Sequence, residues 1–286
     1  MKRIAIVIAV AVGISGWSWA QSNQKPAQSS TPATGQGQAA APAGKRPPQA
    51  KTQPEFEAYK AAIAATDAAA LEKAADDFAA KFPDSELRVV LYKAAMQKYQ
   101  QANNGDKMME MARKALTYDP DDPEALLGVA QVVVEQTHDT DLDKDQKVAE
   151  ARKDSERALV TIDTDVPTSG YPPAELEAFK NFLRSEAYLI LGTLSFKSNQ
   201  WADAETNLRK SIDVFPQQPD PVAVFRLAVA LDEQNKYPEA MKYANQAVDM
   251  TKDRPDSGVG KAARDEKDRL EKLTGTAAPA AAPAKQ

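Results

Sequence analysis

YLILGTLSFKSNQWADAETNLRKSIDVFP, residues 188–216, places Gly192, Ala204 and Pro216 twelve residues apart within two amphipathic helical patterns. A glycine inside a helix costs roughly 1 kcal/mol relative to alanine. Small residues at such sites therefore indicate that another backbone approaches closely. Pro216 ends the second pattern, because proline cannot continue the helical hydrogen-bond ladder. The stretch predicts a helical hairpin whose two helices cross near Gly192 and Ala204.

The same pattern recurs 36 residues further along, where Ala228 takes the place of Gly192 and Ala240 that of Ala204. Recurring units of this size are typical of solenoids, in which each unit buries its apolar face only by stacking on its neighbours. The predicted units are a degenerate unit at 54–87, repeats at 89–122, 123–163 (with an insertion at 137–147), 185–218 and 221–254, and a capping helix at 258–273, together a solenoid over 53–273.

The repeat at 89–122 departs from the pattern. It has Met96 and Met108 at two positions where the other copies carry small residues. Because larger side chains hold two helices apart, we expect this helix pair to be splayed.

Three features of the copies resemble the tetratricopeptide repeat, a helix–turn–helix unit of 34 residues. These are a Leu-Gly or Leu-Ala pair in the first helix, small residues around an apolar residue in the second, and a closing proline. The copy at 185–218 lacks the usual aromatic at Ser195 and the usual alanine at Ser211. The resemblance implies an all-α, right-handed superhelical solenoid of antiparallel helix pairs. The degenerate first unit is similar to those of exported bacterial members.

The two termini differ in composition from the repeats. Lys2 and Arg3, an apolar run and Ser18-Trp19-Ala20 are typical of a signal peptide over residues 1–20, with cleavage after Ala20. The alternative is an uncleaved membrane anchor, although the run is short for a bilayer span of about 20 residues. We expect a periplasmic or secreted protein. The segments 21–52 and 274–286 have no apolar periodicity, so we expect both to be disordered.

Composition excludes several kinds of function. The chain has no cysteine and one histidine, so thiol catalysis and multi-histidine metal sites are impossible. We therefore predict no enzyme, no cofactor and no catalytic, cofactor-binding or metal residues. The net charge is −5, and the folded part is more acidic still once the basic leader is set aside. That balance argues against nucleic acid as a partner. We expect no membrane insertion of the mature chain.

The insertion in the second repeat is acidic. Its carboxylates follow the spacing of a calcium loop: Asp139, Asp141, Asp143, Asp145 and Glu150. Lys144 stands where that loop requires glycine for a sharp turn. The residues leave two interpretations open, a calcium site or a solvated loop with helix caps. We expect no calcium binding tighter than about millimolar.

The resemblance also implies a function. In this family the first helix of each unit lines a concave groove, so we expect an exported, non-catalytic scaffold that binds a protein or peptide there. The alternative is a structural module of a periplasmic or outer-membrane assembly complex. The candidate groove residues are Lys93, Gln97, Gln100, Glu124, Gln131, Glu135, Glu186, Thr193, Lys197, Val229 and Glu233.

Overall fold

A computed structural model describes residues 45–168 and 172–275. The predicted signal peptide, most of the predicted leader and the tail from residue 276 lie outside the described residues. Within the described part, all regular structure is helical: α1 (Gln53–Ile63), α2 (Ala68–Lys81), α3 (Leu87–Gln101), α4 (Gly105–Tyr118), α5 (Pro123–Gln136), α6 (Lys144–Asp165), α7 (Pro173–Lys197), α8 (Trp201–Val214), α9 (Pro221–Asp232), α10 (Tyr237–Met250) and α11 (Gly258–Gly275).

Successive helices pack against one another in chain order, as five hairpins followed by a single helix. The pairs are α1/α2, α3/α4, α5/α6, α7/α8 and α9/α10, and α11 covers both helices of the last pair. This arrangement confirms the predicted all-α solenoid. It also places α8 as expected, because the helix ends at Val214, just before Pro216. None of the described helices is both long and apolar enough to cross a lipid bilayer.

Helix starts and hairpin turns follow from local sequence. Side-chain caps accept a backbone N–H at six helix starts in the described residues, each worth about 1 kcal/mol: Thr52, Asp67, Asn104, Asp122, Asp220 and Ser257. Three hairpins share one turn, in which an asparagine has a positive φ of 54–59°: Asn103, Asn199 and Asn235. Asparagine tolerates this left-handed conformation better than most residues.

The buried side chains form one large cluster and two smaller ones. The large cluster extends from α1 to α7, and the smaller clusters lie between α7 and α11. Helix α7 belongs to both regions, since Ile190 and Leu194 contact the large cluster while Leu189 contacts a smaller one. Three apolar residues in the first turns of α7 pack against the large cluster: Leu176, Phe179 and Phe182.

Gly192 lies where two backbones come close. A Cβ atom there would lie 2.8 Å from Leu208 Cγ and 3.2 Å from the Leu208 backbone nitrogen. The close approach predicted for α7 and α8 is therefore present. Its nearest contact is Leu208 rather than Ala204, which is itself fully buried.

The expected splaying of α3 and α4 is wrong, because Gly128 on the next unit makes room. Met96 and Met108 are both buried in the large cluster. A Cβ at Gly128 would lie 2.7 Å from Met96 Sδ and 3.7 Å from Met108 Cε. The missing side chain of Gly128 thus offsets the volume of the two methionines.

Two predicted boundaries change. The insertion in the second repeat is shorter than 137–147, because α6 begins at Lys144. The segment expected to be disordered through residue 52 also ends earlier. Residues 45–52 bond to the ends of α4 and α6 and to the α2–α3 turn, through Lys45, Arg46 and Lys51. Ion pairs and main-chain hydrogen bonds order these residues, although the segment has no apolar periodicity.

Candidate partner-binding groove

The odd-numbered helices contact one another in series, from α1 to α3, α5, α7 and α9. They therefore form one continuous surface, here called the A-helix face. The candidate groove residues lie on α3, α5, α7 and α9, with Glu233 capping the C-terminal end of α9. Polar contacts join each of these helices to the next.

Lys93 joins α3 to α5. Its ammonium group lies 2.9 Å from Asp122 and also pairs with Glu124, which accepts a hydrogen bond of 3.3 Å from Gln97. Asp122 caps α5 through the Ala125 N–H. Burial alone would lower the pKa of Lys93, but attraction to the two carboxylates outweighs it and raises the pKa. Lys93 is therefore held as a cation within its own network.

Lys197 joins α7 to α5. Its ammonium group donates to the carbonyl oxygens of Val134 (2.7 Å) and Thr137 (2.8 Å) at the C-terminal end of α5. A cation is favourable there because the helix dipole places partial negative charge at that end. Burial and then repulsion from Arg226 lower the pKa of Lys197.

Arg226 joins α9 to α7. Its guanidinium donates to the Thr193 hydroxyl at 2.5 Å and lies 6.0 Å from the centre of the Phe196 ring. Thr193 is only 4% exposed and itself donates to the Leu189 carbonyl. Thr193 therefore supports the A-helix face from within, which corrects its expected place on the surface of the groove.

The remaining candidates occupy the open part of the face. Gln131 donates to Glu135 at 3.2 Å along α5, and Val229 is partly exposed on α9. Gln100, Glu135 and Glu233 are exposed. The face offers a partner amides, carboxylates and apolar surface held on fixed helices.

Sequence reasoning missed three residues of this face. Asp122 could have been found, because an aspartate before Pro123 is a typical helix N-cap. Arg226 was harder to find, since the preceding copies have Ile190 and Gly128 at its position. The repeat pattern therefore gives no indication of a cation at that position. Phe196 stands at the position of the candidate Gln100 and lies against Trp201 at 5.4 Å between ring centres.

Two lysines pair with aspartates of the acidic loop. Lys144 lies 2.7 Å from Asp139, and Lys147 lies 3.1 Å from Asp141 and 3.0 Å from Asp143. Glu150, which would close a calcium shell, instead accepts a bond of 2.7 Å from Arg113. Across residues 45–168 and 172–275, no three His, Cys, Asp or Glu side chains are grouped to hold a metal ion.

Stacked hairpins with a continuous polar face define a helical-repeat interaction module. Residues 178–256 match the tetratricopeptide repeat family model. This part of the chain, from α7 to α10, is therefore similar to tetratricopeptide repeats. One solved structure with similarity is that of the Assembly Chaperone of RpL4 (Acl4), residues 1–338, at 13% sequence identity and a TM-score of 0.45, over 78% of this chain and 99% of that chain. No curated protein matches the sequence.

Proposed function

We propose that this protein is an exported, non-catalytic scaffold that binds a protein or peptide partner along the A-helix face. The observation that carries the proposal is the series of polar contacts through Lys93, Lys197 and Arg226. These contacts fix the relative positions of α3, α5, α7 and α9 before any partner arrives. Tetratricopeptide repeats supply a surface of this kind, and repeat solenoids use such extended surfaces for binding.

The contacts that fix α3, α5, α7 and α9 favour binding, because these helices are already ordered in the free protein. Each side chain immobilised on association costs about 0.5–1.5 kcal/mol. Lys93 and Thr193 have no such cost here, since Lys93 is held by carboxylates at the start of α5 and Thr193 by Arg226 of α9. Gln100 and Glu135 are solvent-exposed, so a partner on this face can contact both side chains.

The absence of catalysis is part of the proposal. His138, the one histidine of the sequence, is exposed in the acidic loop, and the chain has no cysteine. The three cations that join the helices of the A-helix face are engaged in structural contacts: Lys93 with two carboxylates, Lys197 with main-chain carbonyl oxygens and Arg226 with the Thr193 hydroxyl. Recognition by hydrogen bonds and ion pairs is the chemistry that remains.

Export is supported by the basic start, the apolar run and Ser18-Trp19-Ala20. N-terminal sequencing of the mature protein tests it. We expect Gln21 as the first residue. A protein that starts at Met1 in a membrane fraction would contradict cleavage and support an anchor.

Site-specific photocrosslinking in the native cell tests partner binding. A crosslinking amino acid is placed at Gln131 on α5 or Val229 on α9, and in matched controls at Ala149 on α6 or Asn245 on α10. We expect a discrete protein adduct from the first two positions and none from the controls. Equal adducts from all four positions, or none at any position, would contradict binding along the A-helix face.

A further inference from the structure

The N-terminal end of the described chain lies along one edge of the solenoid. Here residues 45–51, KRPPQAK, are called the basic strap; they carry three cations and no acid. The Lys45 N–H donates to the Thr164 carbonyl at 2.9 Å, and the Thr168 N–H donates back to the Lys45 carbonyl at 3.4 Å. The main-chain N–H and C=O of Lys45 thus both form hydrogen bonds at the C-terminal end of α6.

Lys45 also bonds through its side chain. Its ammonium group pairs with Asp119 at the C-terminal cap of α4 and lies 3.3 Å from Asp165, the last residue of α6. These partners are 74 and 120 positions away in the sequence. Both carboxylates are largely shielded from solvent. One side chain therefore connects two successive helix pairs.

The rest of the strap lies along the turn between α2 and α3. Arg46 donates to Glu86 at 2.8 Å through Nη1 and at 2.5 Å through Nη2, and the Gln49 N–H reaches the same carboxylate at 3.3 Å. The Lys51 ammonium group donates to the Asp84 carbonyl at 2.7 Å. The two prolines between Arg46 and Gln49 lack N–H donors and favour extended backbone.

The electrostatics of this edge follow from the fold. Helices α2, α4 and α6 are the second helices of successive hairpins, so their C-terminal ends meet at the same edge. Lys45 lies at the C-terminal ends of α4 and α6, which carry partial negative charge and attract cations. Glu86 at the N-cap of α3, Asp119 and Asp165 add full negative charges along this edge. Two features therefore fit a basic segment: these negative charges and the main-chain hydrogen-bond partners at the end of α6.

We propose that the edge formed by Glu86, Asp119 and Asp165, here called the acidic edge, is a docking site for basic, extended polypeptide segments, which the protein's own basic strap occupies. It is a second interaction surface, separate from the A-helix face, and does not depend on the function proposed for that face. A tethered segment competes at an effective concentration of about millimolar. A partner segment of this chemistry therefore binds when it displaces the strap.

Charge reversal of the strap in the full chain tests the proposal. The probe is a peptide of residues 42–52, PAGKRPPQAKT, titrated to 5 mM into isotopically labelled protein and followed by amide chemical shifts. In Lys45→Glu/Arg46→Glu, we expect shifts of residues 84–86, 119–121 and 164–168. In wild type these shifts should be at least fivefold smaller at the same peptide concentration. The control, Lys60→Glu/Lys73→Glu, has the same charge change on exposed helix positions and should behave as wild type.

Two results would overturn the proposal. One is the absence of shifts at the acidic edge in Lys45→Glu/Arg46→Glu at 5 mM peptide. The other is equal shifts in wild type and in that variant, which would show that the strap does not occupy the site. A peptide with Glu in place of its Lys and Arg should give no shifts in any protein; shifts from that peptide would also count against recognition of basic segments.

A second measurement uses the wild-type chain, so that it does not depend on a variant folding. Trypsin cleavage after Lys45 and Lys51 is followed at low and high salt, with the free peptide digested in parallel. We expect the strap to be cut several times faster at high salt relative to the peptide, because salt screens partly exposed ion pairs. If the ratio of the cleavage rates of the strap and the free peptide did not change with salt, ion pairs would not be what holds the strap.

Discussion

The helix pairs α5/α6 and α7/α8 carry the same dipeptide, Leu127-Gly128 and Leu191-Gly192, but the two glycines pack differently. Gly192 faces Leu208 on the second helix of its own pair, whereas Gly128 faces Met96 on the preceding pair. The position of a glycine within the repeat, rather than the dipeptide, determines its contact. Ala130, two residues after Gly128, occupies the position that Gly192 has in its own repeat.

The pairs also differ in their internal turns. The turn between α7 and α8 is short and contains Asn199 with a positive φ, as do the turns at Asn103 and Asn235. The α5/α6 pair has the acidic loop instead, and Lys197 of the next pair supplies donors to the carbonyl ends of α5. The second unit thus depends on its neighbours for contacts that the third unit makes internally.

The largest expected effect is that of Gly192→Leu. The new side chain would meet Leu208, including a backbone nitrogen at 3.2 Å from its Cβ, and backbone cannot shift without moving α8. Overpacking costs about 1–3 kcal/mol and occasionally more, which exceeds the gain of up to roughly 1 kcal/mol in helix propensity. We expect a lower free energy of unfolding in urea melts. An unchanged midpoint would contradict the crossing at Gly192.

The next largest expected effect is the coupling energy between Met96 and Gly128 in a double-mutant cycle, about 1–2 kcal/mol. The background of the cycle is Met96→Ala, a large-to-small core change that is destabilising by itself. Gly128→Ala should lower stability slightly in wild type, because its Cβ meets Met96 Sδ at 2.7 Å. In the Met96→Ala background the same change should raise stability by up to about 1 kcal/mol through helix propensity. Strictly additive urea-melt results would show that Gly128 does not accommodate Met96.

The asparagine turns should give effects of about 1 kcal/mol. Alanine at Asn199 or Asn235 must adopt a φ of 55° or 59°, which costs an L-residue with a Cβ roughly 1–2 kcal/mol. Glycine at either position should be tolerated. Asn207→Ala within α8 is the matched control and should be neutral or stabilising. Thermal melts of the variants measure these differences. An equal loss of stability for alanine at all three positions would contradict the strained turn.

The smallest expected effect concerns how the free energy of unfolding depends on pH. Glu72 on α2 and Glu266 on α11 should contribute to it with opposite signs. Burial alone would raise the pKa of Glu72 on α2, but bonds from Lys107 and Tyr99 outweigh it and lower the pKa. Glu72 therefore contributes stability that is present at neutral pH and lost as pH falls through its lowered pKa. Burial and then repulsion from Glu233 raise the pKa of Glu266 on α11, so its charge is unfavourable at neutral pH.

Glutamine variants separate the two cases. At pH 7, Glu72→Gln should cost about 1 kcal/mol or less, and Glu266→Gln should leave stability unchanged or slightly higher. In urea melts below about pH 4, the stability difference between each variant and wild type should shrink, because the carboxyl groups of the unfolded chain are then also protonated. A cost at Glu266 equal to that at Glu72 would contradict the opposite pKa shifts.

The repeat architecture could be predicted because its signals are local. The spacing of Gly192, Ala204 and Pro216 sets helix lengths and register, and the same spacing recurs in the next unit. The sequence does not show that the missing side chain of Gly128 makes room for Met96. This contact joins residues on different units, and the alignment shows only that each departs from the pattern.

The strap and the details of the face were missed for a related reason. Lys45 and Arg46 lie in a segment without apolar periodicity, and their partners are distant in the sequence. The position of Thr193 on the A-helix face followed from the repeat. Its hydrogen bond from Arg226 on the next helix pair does not follow from the repeat. Local pattern therefore predicts which helix face a residue occupies, but not which side chains on that face bond to one another.

The most direct test of partner binding compares the two faces of the solenoid against the partner that photocrosslinking isolates. Gln131→Arg/Val229→Arg changes the A-helix face, and Ala149→Arg/Asn245→Arg adds the same charge and similar bulk to exposed positions on α6 and α10. Binding to purified partner is measured by calorimetry, with urea melts to verify equal stability. We expect at least a tenfold loss of affinity only for the first pair. Equal affinity for both variants, or a loss confined to the second pair, would contradict binding along the A-helix face.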